Sequence, residues 1–349
     1  MGHSGDERML YLTRHEVEEL CREIDSVEVM RAVFLAHNAG QVVLPAEAYL
    51  GWTNALGERA RSLNMPGYFT ASHLAGTKII NGNSANPQRG LPRASGLTLL
   101  FDDVSARVVC LMDSAAISSL RTASVTALAV DVLQRAPVLT LAVIGAGVLA
   151  RAHIELLSAR LASLREIALF DLDVERAELL RRQVEPRLVE RGITLRVTAS
   201  AEEAVRAAQV VVPATTTTRG YIASSWLQAG ALLVNISLDD PLPEVILRAG
   251  KVIVDDWELV RDDQHRLLGR MYRQGTLLAP DDTRAVRAGQ QRRVDAEFGE
   301  IISGRKPGRT TDDEYIVLNP FGLSLEDIAV AFQVYHAALE RNIGRWLER

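Results

Sequence analysis

The chain has 349 residues, of which 48% are hydrophobic and 24% charged, a composition typical of a soluble globular protein with room for two domains. Its formal net charge of −5 argues against a nucleic-acid partner, because phosphate binding needs a concentrated positive surface. Uninterrupted apolar runs fall short of the ~18 residues that cross a bilayer, and the first residues lack a signal-peptide pattern, so we expect a cytoplasmic protein with no membrane partner.

Two further classes of site are excluded by composition. The two cysteines, Cys21 and Cys110, are too few for a disulfide framework or a cysteine metal cluster, so we expect both to be packing residues and no metal to be bound. The basic pair at residues 181–182 shares its predicted helix with three glutamates, which indicates a solvated helical face rather than a phosphate-binding patch.

The leading part of the chain does not resemble a nucleotide-binding fold. Helical spacing predicts helices over residues 13–20 and 26–37, and strand-like segments follow at 68–81 and 95–102, the last ending in an Asp102-Asp103 turn. Residues 118–133 then predict one long helix that leads into the next domain.

A dinucleotide-binding motif follows. The apolar run at residues 140–144 enters a Gly145-Ala-Gly147 turn, and a second apolar run ends at Asp171. Gly145 permits the tight turn, Gly147 lets the backbone approach a pyrophosphate, and Ala150 takes the third, helix-packing position. A strand, a glycine turn, a helix and a second strand tipped with an acid together predict a dinucleotide site.

The motif also predicts which dinucleotide binds. The helix that opens near Val148 and Leu149 directs unpaired N–H groups at phosphate. Asp171 lies 26 residues after Gly145, close to the spacing at which an acid binds the ribose 2′-hydroxyl, so we expect NAD rather than NADP. The alternative is a glycine turn in an α/β protein that binds no dinucleotide.

The alternation of strands and helices continues after Asp171. Helices are predicted at residues 174–191 and 201–207, and strands at 194–198, 210–214, 232–236 and 251–254. Ligands bind beyond the carboxyl ends of such strands, so we expect residues 215–218, with Thr215 and Thr217, and residues 235–237, with Asn235 and Ser237, to border the cofactor. The threonine run is equally consistent with a polar loop.

The final part predicts a strand and turn at residues 316–322 and a helix at 326–339, which return to the first domain. We also place Gly322 at the cofactor. The resulting fold class is α/β: a doubly wound Rossmann nucleotide domain over residues 134–309, and a discontinuous α+β domain for substrate binding and dimerisation over residues 1–133 and 310–349.

The residues that carry a resemblance extend along nearly the whole chain. They include Thr77-Lys78-Ile79-Ile80-Asn81-Gly82, Arg93-Ala94-Ser95-Gly96, Ser119-Leu120-Arg121-Thr122-Ala123 and Glu326-Asp327. Together with the glycine motif they resemble the ornithine cyclodeaminase and μ-crystallin superfamily. The segments Asn235-Ile236-Ser237, Val254-Asp255-Asp256-Trp257 and Leu318-Asn319-Pro320 are most similar to its N-(2-amino-2-carboxyethyl)-L-glutamate dehydrogenase branch.

The resemblance implies an activity and an assembly. Enzymes of this branch oxidise the secondary amine that joins glutamate to diaminopropionate, with NAD as hydride acceptor, and the imine is hydrolysed to 2-oxoglutarate and L-2,3-diaminopropionate, which serves siderophore and peptide-antibiotic biosynthesis. The resemblance also implies a homodimer formed through the first domain.

Candidate substrate residues come partly from the resemblance. Arg121 stands in an apolar, small-residue helix, where a substrate carboxylate or a carboxylate of the protein would have to satisfy its charge. Lys78 matches the catalytic-site lysine of the superfamily and is expected to handle a proton. Arg93 matches a branch arginine that would take another carboxylate. Arg61 and Met65 are weaker candidates, and a solvated surface role is the simpler interpretation of Arg61.

A catalytic aspartate is expected after the strand that ends near Ser237. The superfamily keeps an aspartate near the nicotinamide, and spacing to Pro243-Glu244 favours Asp240 over the adjacent Asp239 as the group that orients or deprotonates water. The alternative is an acidic cap on the loop before Pro241.

Departures from the family patterns leave other functions open. Leu63-Asn64 and residues 40–43 lack the acid and the arginine of the ornithine-cyclising enzymes, and Glu47 stands where the favoured branch is expected to have a basic residue. An ornithine or lysine cyclodeaminase, a ketimine reductase, or a non-catalytic NAD-binding protein of the μ-crystallin type therefore remain alternatives.

Overall fold

The computed structural model describes residues 7–348, which form two compact units. Unit 1 combines residues 7–121 with 323–348, and unit 2 is Thr122–Gly322. The domain boundaries expected at residues 133 and 310 both lie inside unit 2. The first of them could not be located from the sequence, because one helix continues without a break through the division between Arg121 and Thr122.

The structure has the following strands and helices in chain order. The leading part contains β1 (Arg8–Leu12), α1 (Arg14–Cys21), α2 (Ser26–Asn38), β2 (Val42–Val43), β3 (Ala48–Thr53), β4 (Arg59–Phe69), β5 (Leu74–Asn83), β6 (Ala94–Phe101), β7 (Val108–Asp113) and α3 (Ala115–Leu133). The middle contains β8 (Thr140–Ile144), α4 (Val148–Arg160), β9 (Glu166–Phe170), α5 (Val174–Val189), β10 (Thr194–Val197), α6 (Ala201–Ala207), β11 (Val210–Pro213), β12 (Leu232–Val234), α7 (Pro243–Arg248), β13 (Lys251–Val254), α8 (Trp257–Asp262), α9 (Leu267–Arg273), β14 (Leu277–Leu278), β15 (Arg292–Arg293), β16 (Ala296–Glu297), α10 (Phe298–Ile302) and β17 (Ile316–Asn319). The last elements are α11 (Ser324–Arg341) and β18 (Arg345–Glu348).

Unit 1 is built on a mixed sheet with the strand order β18-β1-β7-β6-β5-β4-β2, in which β3 also pairs with β4. Helix α11 packs on β4, β5 and β6, which confirms that the C-terminal segment returns to the leading part of the chain. The close approach favours glycines, since a Cβ at Gly67 would lie 2.9 Å from Ser324 Oγ and one at Gly76 would lie 3.3 Å from Ile328 Cγ1, both atoms of α11. One face of the sheet therefore meets α11 at short distance.

The predictions for unit 1 were accurate for helices and less accurate for strands. Helices α1 and α2 lie within one residue of the predicted spans, and Thr13, predicted as the first helical residue, is instead the N-cap of α1. The predicted strand at residues 68–81 was wrong as a single element, because a turn at 70–73 separates β4 from β5. The sequence analysis also missed β1, β3 and β18. The side chains of β3 and β18 are exposed throughout and give no core-facing alternation, whereas β1 is a short strand with Leu10 and Leu12 buried.

Unit 2 contains a wholly parallel sheet with the order β10-β9-β8-β11-β12-β17-β13-β16. The strand order reverses between β8 and β11, where a ligand site is expected in a doubly wound fold. Five of the predicted strands and the helix at 201–207 are present with boundaries within two residues, which confirms the doubly wound prediction.

Helix α3 is the longest apolar element, and among the described residues it alone has the length and composition of a membrane-spanning helix. The sequence analysis had not recognised it as such. Its side chains from Ala123 to Val130 are buried inside the protein, as in the core helix of a soluble protein. The helix also begins at Ala115, three residues before the predicted start.

Both cysteines are packing residues, as predicted. Cys21 on α1 and Cys110 on β7 are buried with free thiols. Burial raises the pKa of each thiol to about 12, so the reactive thiolate is scarce at neutral pH.

His153 makes the stability of unit 2 depend on pH. The ring is fully buried on α4, with Nδ1 2.7 Å from the Leu149 carbonyl oxygen and Nε2 2.9 Å from the Thr126 hydroxyl. Burial lowers the pKa of His153 to about 4, so between pH 6.5 and 4 the unfolded chain binds a proton that the folded chain does not. Stability is complete above pH 6.5 and is lost as pH falls.

We expect the free energy of unfolding to fall by about 2 kcal/mol between pH 7 and pH 5 through His153. Urea unfolding at a series of pH values measures the effect. In His153→Gln this part of the slope should disappear, and an equally steep slope in the variant would contradict the assignment.

Candidate active site

The glycine turn of unit 2 lies between β8 and α4. Gly145 has φ +100°, and a Cβ there would lie 2.7 Å from the Ala214 carbonyl oxygen, so glycine is required. Gly147 caps α4 with ordinary φ, and nothing lies within 4 Å of the position its Cβ would take. The open space beside Gly147, with Val148 and Leu149 in the first turn of α4, fits a phosphate at the helix N-terminus.

Asp171 joins this turn to the next strand. It directly follows β9, and its Oδ2 accepts a hydrogen bond of 2.6 Å from the Ala146 backbone N–H. Its Oδ1 accepts one of 2.9 Å from the Asp173 backbone N–H. The carboxylate therefore stabilises the glycine turn through these hydrogen bonds. It is also the acid that we expect to bind a ribose hydroxyl.

The residues predicted to border the cofactor make different hydrogen bonds. Thr215 donates a hydrogen bond to Asp240, whereas the hydrogen bonds of Thr217 to described residues stay within its own loop, with Thr215 and Arg219, as in a polar loop. Asn235 is buried and donates to Asn319 over 2.7 Å, while its Oδ1 has no hydrogen-bond partner in the described part of the chain. The Gly322 N–H, at φ +99°, donates to Asp255 over 2.6 Å.

Asp240 lies in a cluster of hydroxyl groups. Its Oδ1 accepts hydrogen bonds from Thr215 at 2.7 Å and Tyr221 at 2.9 Å, and its Oδ2 contacts the Ser237 hydroxyl. The side chain is fully buried, and burial raises the pKa of its carboxyl although the three hydroxyls act against the shift. A buried carboxylate held by neutral donors is suited to accept a proton.

The neighbouring Asp239 has a different environment. Its carboxylate lies 3.1 Å from Arg266 and 3.2 Å from Arg270, and the side chain is buried. Contact with two guanidinium groups is the pattern of a structural ion pair. Leu238, which directly precedes Asp239, has φ +77°, a left-handed conformation that is rare for leucine and that marks this loop as strained.

Lys78 forms a buried ion pair in unit 1. The residue lies on β5 with 2% of its surface exposed, and its Nζ donates a hydrogen bond of 2.7 Å to Asp327 Oδ2 on α11. Burial lowers the pKa of Lys78, and Arg121 lowers it further, whereas Asp327 acts in the opposite direction. A buried ammonium with a lowered pKa can release its proton more readily than a surface lysine.

Arg121 has protein carboxylates as partners, which was the alternative to a substrate role. Its Nη1 donates a hydrogen bond of 2.6 Å to Glu326, and its Nε lies 3.3 Å from the Asp327 oxygen that also binds Lys78. Glu326 and Asp327 are fully buried, and the Arg121 side chain is 12% exposed. Burial raises the pKa of Glu326, against the effect of Arg121.

The remaining predicted substrate residues differ in their distance from Lys78. Met65 is buried and stands directly opposite Lys78 in the β4–β5 pairing. Arg61 is opposite Gly82, four positions along β5 and on the same face of the sheet. Arg93 is exposed and precedes β6, five positions before Thr98, the partner of Lys78, so the structure does not bring it to Lys78.

Sequence reasoning missed two polar groups and the roles of two more. The sequence did not single out Tyr221, which contacts Asp240, or Thr98. Thr98 is fully buried, and its Oγ1 has no hydrogen-bond partner among the described residues. The Glu326-Asp327 pair was noted as a motif without a role. Two adjacent acids in an otherwise apolar helix were the available signal, since buried acids need cations.

Comparison with known proteins places the whole chain among relatives. The model of the ornithine cyclodeaminase/mu-crystallin family matches residues 7–342. The N-((2S)-2-amino-2-carboxyethyl)-L-glutamate dehydrogenase of Staphylococcus aureus is 31% identical over 97% of this chain and 98% of its own length. Among solved structures, CmnK superposes on this chain with a TM-score of 0.87 and 33% sequence identity, and the match covers 98% of each chain. An archaeal alanine dehydrogenase dimer with bound NAD superposes with a TM-score of 0.82 and 27% identity, over 97% of this chain and 99% of that chain.

Proposed function

The chain belongs to the ornithine cyclodeaminase/mu-crystallin family, and within that family we propose that it converts N-(2-amino-2-carboxyethyl)-L-glutamate to L-2,3-diaminopropionate and 2-oxoglutarate. It is an NAD-dependent oxidoreductase that acts on a CH–NH bond. The observation that carries the proposed substrate is the similarity to the Staphylococcus aureus dehydrogenase over almost all of both chains. The product would supply siderophore or peptide-antibiotic biosynthesis.

The residues of unit 2 fit NAD. The unobstructed position beside Gly147 and the first N–H groups of α4 would hold the pyrophosphate, and Asp171 would accept a hydrogen bond from a ribose hydroxyl. When bound, NAD accepts the hydride from the glutamate α-carbon of the substrate. Leu172, which follows Asp171 and is exposed, offers no positive charge to a 2′-phosphate.

The chain's own residues would bind the substrate and move protons. We assign Arg121 to a substrate carboxylate, since its side chain, although paired with Glu326, is not completely buried. Asp240 would accept a proton from the water that attacks the imine carbon, and Lys78 would supply one to the departing amine. One substrate, one NAD and one water then give two products, NADH and a proton.

The test is absorbance of reduced nicotinamide in a mixture of enzyme, NAD and N-(2-amino-2-carboxyethyl)-L-glutamate, with ornithine, lysine and proline as comparison substrates. We expect NADH and 2-oxoglutarate to form in equal amounts from the first compound alone. Release of ammonia from ornithine or lysine would instead identify a cyclodeaminase. No turnover of any compound together with tight NAD binding would identify a non-catalytic binding protein.

We further propose that the protein is a soluble, cytoplasmic homodimer that assembles through β3. This strand pairs with β4 along one edge and exposes every residue, including Tyr49 and Leu50, each 62% exposed, and Trp52, 44% exposed. Exposed apolar side chains on a strand with an open edge are the features of an interface with a second copy.

Charged substitutions test the dimer. We expect the protein to sediment as a dimer and the double variant Leu50→Asp/Trp52→Glu to sediment as a monomer, because two charges would be buried at the interface. Val189→Asp, at an exposed position on α5, is the matched control and should leave the dimer intact. A monomeric wild-type protein, or a dimeric double variant, would refute assembly through β3.

A further inference from the structure

Glu47 belongs to the face of the unit 1 sheet that carries Lys78. It immediately precedes β3, whose first residue, Ala48, pairs with Asn64, and the next residue of β4, Met65, pairs with Lys78. Continuing this register places Glu47 opposite Met65. Residues directly opposite each other in antiparallel strands point to the same face, so Glu47, Met65 and Lys78 form one row across the sheet.

Glu47 differs from the other carboxylates of this face in having no partner. The carboxylates of Asp327 and Glu326 are already engaged by Lys78 and Arg121. Glu47 is half-buried and makes no hydrogen bond or ion pair with any residue from 7 to 348. It does interact electrostatically with Lys78 and Arg121, which places it in the same cluster.

The balance of charge in the cluster limits what Glu47 can bind. The buried pairs Lys78–Asp327 and Arg121–Glu326 are neutral as a set, so they offset little of the Glu47 charge. Arg61 also acts electrostatically on Glu47 but forms no ion pair with it among the described residues. A half-buried carboxylate without a partner is unfavourable unless a cation or a proton joins it. Burial raises the pKa of Glu47, which agrees with a site that lacks its cation.

We propose that Glu47 recognises a primary ammonium group of the substrate. The inference deepens the proposed function and rests on it, because N-(2-amino-2-carboxyethyl)-L-glutamate carries one primary ammonium, on its aminocarboxyethyl arm, besides the secondary amine that is oxidised. Glu47 binds the ammonium through a charge-assisted hydrogen bond. Glu47 would repel a substrate carboxylate placed where the ammonium binds. Glu47 therefore also fixes the orientation in which the substrate binds.

The proposal predicts a specific ligand preference. The NADH-loaded protein should bind N-(2-amino-2-carboxyethyl)-L-glutamate more tightly than N-(2-carboxyethyl)-L-glutamate, which lacks the primary ammonium, by roughly 10- to 100-fold. Calorimetric titration measures both affinities without requiring turnover. In Glu47→Gln the two ligands should bind with equal affinity, since the neutral amide cannot offset the ammonium charge.

Two further variants complete the test. Glu47→Asp keeps the charge and should retain part of the preference even if Glu47→Gln folds poorly. Glu340→Gln removes an exposed carboxylate of α11 and should keep the full preference. A preference that persists in Glu47→Gln, or a wild-type protein that binds both ligands equally or neither, overturns the proposal.

Measuring NADH formation distinguishes failure of the Glu47 proposal from failure of the proposed dehydrogenase reaction. Discrimination by Glu47 without NADH formation would leave ammonium recognition standing and reject the dehydrogenase reaction. NADH formation with the same relative rates for both compounds in the wild type and in Glu47→Gln would keep the reaction and reject the role of Glu47.

Discussion

Replacing Lys78 with Met is expected to lower turnover by about 10²- to 10⁴-fold while leaving a folded protein that binds NAD. The variant loses the buried ammonium that would donate a proton. Its partner Asp327 keeps a cation, because Arg121 Nε lies 3.3 Å from the same oxygen, so the fold loses less than a lone buried charge would cost. The residues to which we assign NAD binding belong to unit 2 and are unchanged. Stopped-flow measurement of NADH formation, with NAD titrated separately, tests both parts.

Lys78→Arg is the matched control for charge. Arginine preserves the positive charge beside Asp327 but does not release a proton in the physiological range. Turnover in Lys78→Arg should therefore stay close to that of Lys78→Met, whereas substrate affinity should be better retained. Near-normal turnover in either variant would show that Lys78 does not handle a proton.

Replacing Arg121 with Met is expected to destabilise the protein by about 3–5 kcal/mol, because removing one partner of a buried ion pair leaves an uncompensated charge. Glu326 is fully buried and would lose its 2.6 Å hydrogen bond. Burial already raises the pKa of Glu326, so a protonated Glu326 stabilises the folded variant as pH falls. The loss should be larger at pH 8 than at pH 5 in urea unfolding.

The double variant Arg121→Met/Glu326→Gln isolates the ion pair. Removing the orphaned charge should recover a large part of the stability that Arg121→Met loses, while substrate binding should remain weak if Arg121 holds a carboxylate. If the stability lost in the double variant equalled the sum of the losses in Arg121→Met and in Glu326→Gln, the two side chains would have no coupling energy. Undiminished substrate affinity in a folded double variant would remove Arg121 from the binding residues.

The sequence predicted unit 2 well because its signals are local. Strand β8 and the start of α4 at Val148 match the expected positions, since the apolar run, the turn glycines and the helix start lie within about ten residues. Asp171 was located by the same local reasoning, through the end of the next strand. Its second contact, with the Ala146 N–H, depends on the turn's conformation and was not foreseen.

Partners distant in sequence could not be predicted in the same way. Lys78 and Asp327 are 249 positions apart, and Arg121 and Glu326 are 205 apart. Only the packing of α11 on the sheet brings them together, and no periodicity within either segment encodes it. The different environments of Asp239 and Asp240 likewise could not be predicted, because the arginines that contact Asp239, Arg266 and Arg270, lie on or beside a later helix.

The reactivity of the two buried thiols reports how often unit 1 opens to solvent. Cys21 and Cys110 both lie in unit 1, and the chain has no other cysteine. A thiol reagent such as dithionitrobenzoate should therefore react with the native protein only as fast as unit 1 exposes these side chains. Comparing that rate with the loss of NAD binding under mild urea would show whether unit 1 unfolds before unit 2, to which we assign NAD binding, without any added label.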